Sequence, residues 1–250
     1  MACYAFKDNN KAEYLIDHLR NVMICCKDRW ESKGLSKKIH NIYKVDETLV
    51  NELIAIAGLL HDIGKAHKDY QLNCEDACKE FTDHYILSTQ FSIYLGRKAG
   101  LSELSAESIS DTFNNILLKD LERFTEGNIY VLIVVIPILL HHYAQINVVK
   151  FLLKDLHRDF NVHTDCWEDL LLKLFNEVIY IMKTELSKKI IKSAYETLTK
   201  SSTIKDLPGI PLKREYLFNL RKPPHQRFII DAALGILNLC DGIVASRSRR

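Results

Sequence analysis

The chain has 250 residues, of which 47% are hydrophobic and 26% charged, and its formal net charge is +2 at pH 7. Such a composition can bury a sizeable core and excludes a generally disordered chain. The first residues are polar and charged, so we expect no secretory signal, and the longest apolar run, from Ile129 to Leu140, is shorter than the roughly 18–20 residues that span a bilayer.

Apolar residues recur at three- and four-residue steps along most of the chain, a pattern typical of α-helices. The segment 48–65 is apolar on most faces, as a central buried helix would be. Pro137 predicts either a kink in the long apolar run or a break between two shorter helices. The other helical patterns cover residues 12–30, 80–99, 129–146, 147–158, 166–200 and 225–246. We therefore predict one all-α domain over residues 1–250.

The clearest interruption of the helical pattern is the segment 205–225, which we predict to be a basic loop or short hairpin. Residues 201–250 carry nine lysines and arginines against four acidic residues, so this end has a net charge of +5. A basic end suits a polyanion such as nucleic acid, and a solvated basic tail is the alternative. The candidate nucleic-acid contacts in the segment are Lys213, Arg214, Arg221 and Lys222, with Tyr216 and Phe218 available for base stacking.

The seven cysteines are scattered along the chain, and no two of them form a CxxC pair. This spacing argues against a zinc–thiolate site. We expect a reduced, cytoplasmic protein in which the thiols fill the core.

A set of histidines and aspartates falls where the pattern predicts burial. His61 and Asp62 end the central apolar helix, and His141 and His142 follow the longest apolar run. A buried polar group costs several kcal/mol unless it is partnered, and a shared metal centre would partner all of them. A single such histidine is more often a hydrogen-bonded core residue, but two adjacent pairs favour a metal centre. The full set is His18, His61, Asp62, His84, His141, His142 and Asp241.

In order, these residues read H…HD…H…HH…D, which resembles the HD phosphohydrolase superfamily. Within it, the stretch "HDIGKAHKDYQ" is similar to the corresponding stretch of the CRISPR-associated HD nuclease of type I systems. The stretch ends in Tyr70-Gln71, and the doublet His141-His142 begins the sequence "HHYAQIN". Both features favour that nuclease over the signalling phosphodiesterases for cyclic dinucleotides, whose motif reads HHE…GYP. Because the chain has no GxxxxGK[ST] phosphate loop, it resembles the stand-alone nuclease subunit without the helicase.

The resemblance implies two divalent cations, with Mn²⁺, Mg²⁺, Ni²⁺, Co²⁺ and Fe²⁺ as candidates. Asp62 would bridge the two ions, which together would activate a water molecule and withdraw charge from a phosphate. Asp241 is preferred to Asp231 as the last ligand because it lies in an apolar helix followed by small residues. The resemblance gives one ion to His18, His61, Asp62 and Asp241, and the other to Asp62, His84, His141 and His142.

The implied reaction is hydrolysis of phosphodiester bonds in single-stranded DNA, and RNA or duplex DNA stays open as a substrate. The implied partners are a separate CRISPR-associated helicase and a crRNA-guided surveillance complex. The alternatives are an HD phosphohydrolase for a nucleotide or cyclic dinucleotide, and a non-catalytic helical adaptor that keeps the fold.

Two further residues are candidates for the site. Lys65 lies one turn after His61 and could pair with a phosphate oxygen, or it could be a solvated cation at a helix end. Ser88 lies one turn after His84 and could bind phosphate or orient the site, or its hydroxyl could be satisfied within the protein.

Overall fold

The structure, a computed structural model, describes residues 3–74, 77–78, 81, 83–142, 159–166, 171–211 and 224–248. It is all-α in class, as predicted. The helices are α1 (Leu15–Asp28), α2 (Trp30–Tyr43), α3 (Glu47–Leu60), α4 (Lys68–Leu72), α5 (His84–Lys98), α6 (Ile109–Leu118), α7 (Glu126–Tyr130), α8 (Ile136–Leu140), α9 (Thr164–Cys166), α10 (Leu172–Ile181), α11 (Glu185–Lys200) and α12 (Arg227–Ser248).

Two small antiparallel sheets, which the helical patterns do not predict, accompany the helices. One pairs β1 (Tyr4–Lys7) with β2 (Ala12–Tyr14), and the other pairs β3 (Phe160–Asn161) with β4 (Thr203–Ile204). These strands are two to four residues long, too short to show the alternation by which a strand is recognised in a sequence.

Helix α3 forms the centre of the core, as its apolar sequence predicts. Most of its residues are buried, and the helix packs against α1, α2 and α12. The approach of α1 is close at Gly58, where a Cβ atom would lie 3.0 Å from Cys26 Sγ and 3.1 Å from the Val22 carbonyl oxygen. This contact joins the helix that carries His18 to the helix that directly precedes His61.

The long apolar run forms a continuous buried helical stretch rather than two separate helices. Between α7 and α8 lies a π-helical segment, Val131–Val135, and Pro137 stands at the start of α8. Proline has no N–H to donate, so the helical hydrogen-bond ladder changes register just before it. The predicted pattern at 166–200 is divided between α10 and α11, whose break at 182–184 is held by the carboxylate of Glu52.

The expectation of separate core-filling thiols is wrong for six of the seven cysteines. The structure pairs them as three disulfides, Cys3–Cys166, Cys25–Cys240 and Cys74–Cys78, and Cys26 is the buried free thiol. Pairs separated by 163 and 215 residues depend on the tertiary fold, so their partners could not be chosen from the sequence.

Helix α12 is long and apolar enough to cross a membrane by length and composition alone. One face of it packs on α1, α2 and α8, with Ile229, Leu237 and Cys240 buried there. One face of the helix is therefore attached to the core, and the helix places Asp241 beside His18. The predicted helix at 147–158 and most of the predicted basic segment 205–225 lie outside the described residues.

Candidate metal centre

The ends of several helices bring the predicted histidines and aspartates to one place. His61 follows the last residue of α3, His84 begins α5, and His141 follows α8. His18 lies in the first turns of α1, and Asp241 lies on α12. Five of these seven residues are buried, and the other two, Asp241 and His142, are partly accessible to solvent.

The loop that follows Asp62 owes its position to Gly64. The Gly64 N–H donates a hydrogen bond to Ser88 Oγ at 2.9 Å, and a Cβ atom at this position would overlap the carbonyl oxygen of His84. Only glycine allows the loop to lie this close to the start of α5. Ser88 is fully buried and its hydroxyl accepts this bond from Gly64 within the protein, so it orients the loop, while a phosphate contact of Ser88 stays a prediction.

Gln71 of the "HDIGKAHKDYQ" stretch fixes the other side of the same loop. Its Nε2 donates to the carbonyl oxygens of Lys65 at 2.7 Å and Tyr4 at 3.0 Å, and its Oε1 accepts from the Tyr4 N–H at 2.9 Å. One buried amide therefore joins β1 to the loop that carries Asp62 and Lys65.

The two carboxylate oxygens of Asp62 face two different groups of side chains. Oδ2 lies 3.4 Å from His18 Nε2 and 3.5 Å from His61 Nε2. Oδ1 lies 3.0 Å from His84 Nε2 and 3.4 Å from His141 Nε2. We call His18, His61 and Asp241 the first group, and His84, His141 and His142 the second group.

Side-chain atoms within each group also lie close to one another. Asp241 Oδ1 lies 3.3 Å from His18 Nε2 and 3.9 Å from His61 Nε2. In the second group, His84 Nε2 and His142 Nε2 are 3.0 Å apart. Two sets of side chains have ligand atoms close enough to one another to hold one metal ion: His18 and His61 with Asp62, and the whole second group with Asp62.

The orientation of the rings fits a cation. The Nδ1 atoms of His18 and His61 are engaged by Glu13 and by the Gly58 carbonyl, both at 2.8 Å, so their Nε2 atoms face each other at 3.3 Å. Two nitrogen lone pairs at this distance repel unless a proton or a cation lies between them. Imidazole nitrogens and carboxylate oxygens are ligands that Mn²⁺, Fe²⁺, Co²⁺ and Ni²⁺ accept, so the donor set fits a divalent cation.

The charges of the cluster also suit a cation. Burial favours the neutral acid of Asp62, but Lys65 and the neighbouring imidazoles hold the pKa of its carboxyl well below its usual range. The pKa of Asp241 is lowered as well, because hydrogen bonds with His18 and His61 outweigh its burial. Burial, together with His141 and His84, lowers the pKa of His142 to about 3. The carboxylates are therefore ionised and this imidazole is neutral, the forms that bind metal.

His18 differs from His142 because the pKa of its imidazole is raised rather than lowered. Burial disfavours its imidazolium, but hydrogen bonds with Asp241, Asp62 and Glu13 raise its pKa to about 10. A divalent cation would compete with this proton for the same acidic surroundings, so metal binding at the first group should release a proton.

Lys65 is buried and pairs with Asp62. Its Nζ lies 2.6 Å from Asp62 Oδ2 and 5.3 Å from the centre of the Phe81 ring. With 7% of its surface exposed, Lys65 is not a solvated helix-end cation, which removes that alternative. Its ammonium group adds positive charge directly beside the carboxylate that joins the two groups.

The choice between the two aspartates of α12 is clear in the geometry. Asp231 is exposed and accepts a hydrogen bond from Arg227 Nε at 2.9 Å, whereas Asp241 reaches the histidines of the first group. His67, the other histidine near the motif, caps α4 by accepting from the Asp69 N–H and is not part of the cluster. The four predicted basic contacts, Lys213, Arg214, Arg221 and Lys222, lie outside the described residues.

Sequence reasoning missed one buried acid in the cluster. Glu13, the middle residue of β2, is 3% exposed, and its Oε1 lies 2.8 Å from His18 Nδ1. The available signal was a lone carboxylate five residues before a buried histidine, and this spacing is typical of no metal motif. Its contact exists only because β2 leads directly into α1.

A surface pocket of about 1020 Å³ opens beside α4, and none of the seven cluster residues lines it. Of the residues that the structure describes, the charged ones that line it are Asp69, Asp159, Asp206 and Arg97. The histidine and aspartate side chains that could hold a metal ion lie in the cluster, apart from this pocket.

Comparison with protein families agrees with the cluster. Residues 5–175, more than half of the chain, match the family model described as "Cas3, HD domain", and this range contains six of the seven cluster residues. A search of the curated proteins finds no match. The arrangement of histidines around Asp62 and the extent of the match together lead to one conclusion: the chain belongs to the family of CRISPR-associated Cas3 HD domains, which are metal-dependent hydrolases.

Proposed function

We propose that this protein is a nuclease that uses two divalent cations to hydrolyse phosphodiester bonds of single-stranded DNA in CRISPR interference. A separate helicase and a crRNA-guided surveillance complex would supply the strand. The observation that carries the proposal is the position of Asp62: its Oδ2 lies within 3.5 Å of two histidines of the first group, and its Oδ1 lies within 3.4 Å of two histidines of the second group.

A single carboxylate between two sets of nitrogen ligands is suited to a pair of close dications, because it partly neutralises both. The residues that would hold them are His18, His61, Asp62 and Asp241 at one position, and Asp62, His84, His141 and His142 at the other. The chemistry supplied by such a pair when bound is a lowered pKa for an attacking water and positive charge for the phosphate in the transition state.

The remaining work falls to the protein itself. Gly64 and Ser88 hold the loop of Asp62 against α5, and Gln71 holds it against β1. Burial of the cluster lowers the local dielectric constant and strengthens its electrostatic interactions. Lys65 Nζ, 2.6 Å from Asp62, could move to a phosphate oxygen when cations occupy both sides of that carboxylate.

The decisive experiment incubates the metal-free protein with Mn²⁺ and a labelled single-stranded oligonucleotide. Parallel reactions contain duplex DNA, single-stranded RNA, nucleotides and a cyclic dinucleotide. We expect cleavage of the single strand, no release of phosphate from nucleotides, and no reaction in the presence of a chelator. Cleavage of nucleotides or of the cyclic dinucleotide with an intact oligonucleotide would instead establish the small-molecule phosphohydrolase.

The proposed partnership needs a second assay. A duplex with a displaced strand is incubated with the surveillance complex and the helicase, with and without this protein. We expect degradation of the displaced strand only when this protein is added. Equal degradation without it would overturn the partnership but leave the nuclease activity intact.

A further inference from the structure

The histidines of the cluster differ in what holds their second ring nitrogen. The Nδ1 atoms of His61, His84 and His141 each contact the backbone carbonyl oxygen three residues earlier in the chain. His61 and His141 follow the last turn of a helix, where carbonyl groups have no partner within the helix, and Phe81 precedes the first turn of α5. At these three positions an acceptor is available from the local backbone.

His18 has no such acceptor. It is the fourth residue of α1, and the carbonyl group three residues earlier, that of Leu15, belongs to the hydrogen-bond ladder of the same helix. The partner of its Nδ1 is instead the Glu13 carboxylate, at 2.8 Å. Glu13 and His18 are 3% and 0% exposed, so this pair is shielded from water.

We infer that Glu13 is a positioning residue that tunes the metal position of the first group, an inference that rests on the proposed function. Its carboxylate accepts the Nδ1–H of His18, which fixes the ring with Nε2 directed at Asp62 and Asp241. A carboxylate behind a metal-binding imidazole also makes that imidazole a stronger donor than a backbone carbonyl does. Three carboxylates, those of Asp62, Asp241 and Glu13, therefore contact His18 of the first group. The carboxylate that contacts His84 and His141 of the second group is that of Asp62.

The test is a calorimetric titration of the metal-free protein with Mn²⁺, comparing wild type with Glu13→Gln and Glu13→Ala. Loss of a carboxylate partner of this kind weakens metal affinity by about 10–100-fold. We expect one of two binding events to weaken by about 10-fold in Glu13→Gln, which keeps an acceptor but loses the charge, and more in Glu13→Ala. The other binding event should keep its affinity.

Glu52 provides the matched control. It is also a glutamate that is 3% exposed, but it accepts hydrogen bonds from the Lys183 and Thr184 N–H groups at the start of α11, away from the cluster. Glu52→Gln should lower the melting temperature and leave both Mn²⁺ affinities unchanged. If Glu13→Gln gave the same result as Glu52→Gln, Glu13 would be merely structural and the inference would be overturned.

The outcomes separate this inference from the proposed function. Oligonucleotide cleavage by Glu13→Gln should need more Mn²⁺ than cleavage by wild type and should recover at saturating Mn²⁺. Wild-type protein that binds no Mn²⁺ and cuts no oligonucleotide would overturn the proposed function. Wild-type protein that binds two ions and cuts, together with a Glu13→Gln variant of identical affinity, would overturn the role of Glu13 alone. Should Glu13→Ala not fold, the isosteric Glu13→Gln decides the matter.

Discussion

The two groups around Asp62 differ in chemistry although they share one carboxylate. The first group contains Asp241 and a histidine backed by Glu13, so its position is rich in negative charge. The second group consists of three imidazoles, of which His84 and His141 are backed by neutral carbonyl groups. The difference teaches that the two groups offer unequal sets of ligands to a cation: the first group is richer in oxygen and therefore harder, and the second is richer in nitrogen.

The largest expected effect comes from removing what the two groups share. Asp62→Ala should lower oligonucleotide cleavage by more than about 10³-fold, because the two proposed cations would both lose the carboxylate that lies between the groups. Helical content measured by circular dichroism should stay near that of wild type. The control is Asp69→Ala, which removes an exposed carboxylate from α4. Wild-type cleavage by Asp62→Ala would remove the basis for treating the groups as one centre.

The first group can be tested alone through the two aspartates of α12. Asp241→Ala should lower cleavage by about 10²-fold and abolish one of two Mn²⁺ binding events, because the first position loses its own carboxylate. Asp231→Ala removes only an exposed pair with Arg227 and should change cleavage less than about twofold. Equal effects of the two substitutions would contradict the assignment of Asp241 to the first group.

The nitrogen-rich second group predicts a preference among metals. Mg²⁺ prefers oxygen ligands and dehydrates reluctantly, whereas Mn²⁺ and Co²⁺ accept imidazole. Cleavage with Mn²⁺ or Co²⁺ should therefore exceed cleavage with equimolar Mg²⁺ by about 10-fold at subsaturating concentrations. A series of single-metal reactions after chelator treatment measures this ratio. Equal rates with Mg²⁺ would show that the two positions are more alike than their ligands suggest.

The smallest expected effect concerns the contact that holds Asp62 against the second group. Gly64→Ala would force the loop away from the His84 backbone and should destabilise the protein by about 1–3 kcal/mol, as overpacking does. Gly34→Ala is the control, because a Cβ atom there meets nothing within 4 Å and α2 should gain about 0.5–1 kcal/mol. Thermal unfolding followed by circular dichroism measures both. Equal stabilities of the two variants would mean that folding does not depend on the close approach of this loop to the His84 backbone.

Much of this arrangement could be predicted from the sequence because its signals are local. The doublets His61-Asp62 and His141-His142 end apolar helices, and a helix end directs its last side chains to a defined place. Glu13 could not be found this way, since its role depends on a three-residue strand that leads into α1. The division of α10 from α11 depends on a distant acid, Glu52, which no local pattern reveals.

The bond between Cys25 and Cys240 joins α1, which carries His18, to α12 immediately before Asp241. While this bond persists, a polypeptide cut once anywhere between residues 26 and 239 remains one covalent molecule, and His18 and Asp241 stay tethered to each other. A protease digest run without thiol would therefore show a full-length band for a backbone that has already been cut once. The same digest would fall apart into fragments once a reductant was added.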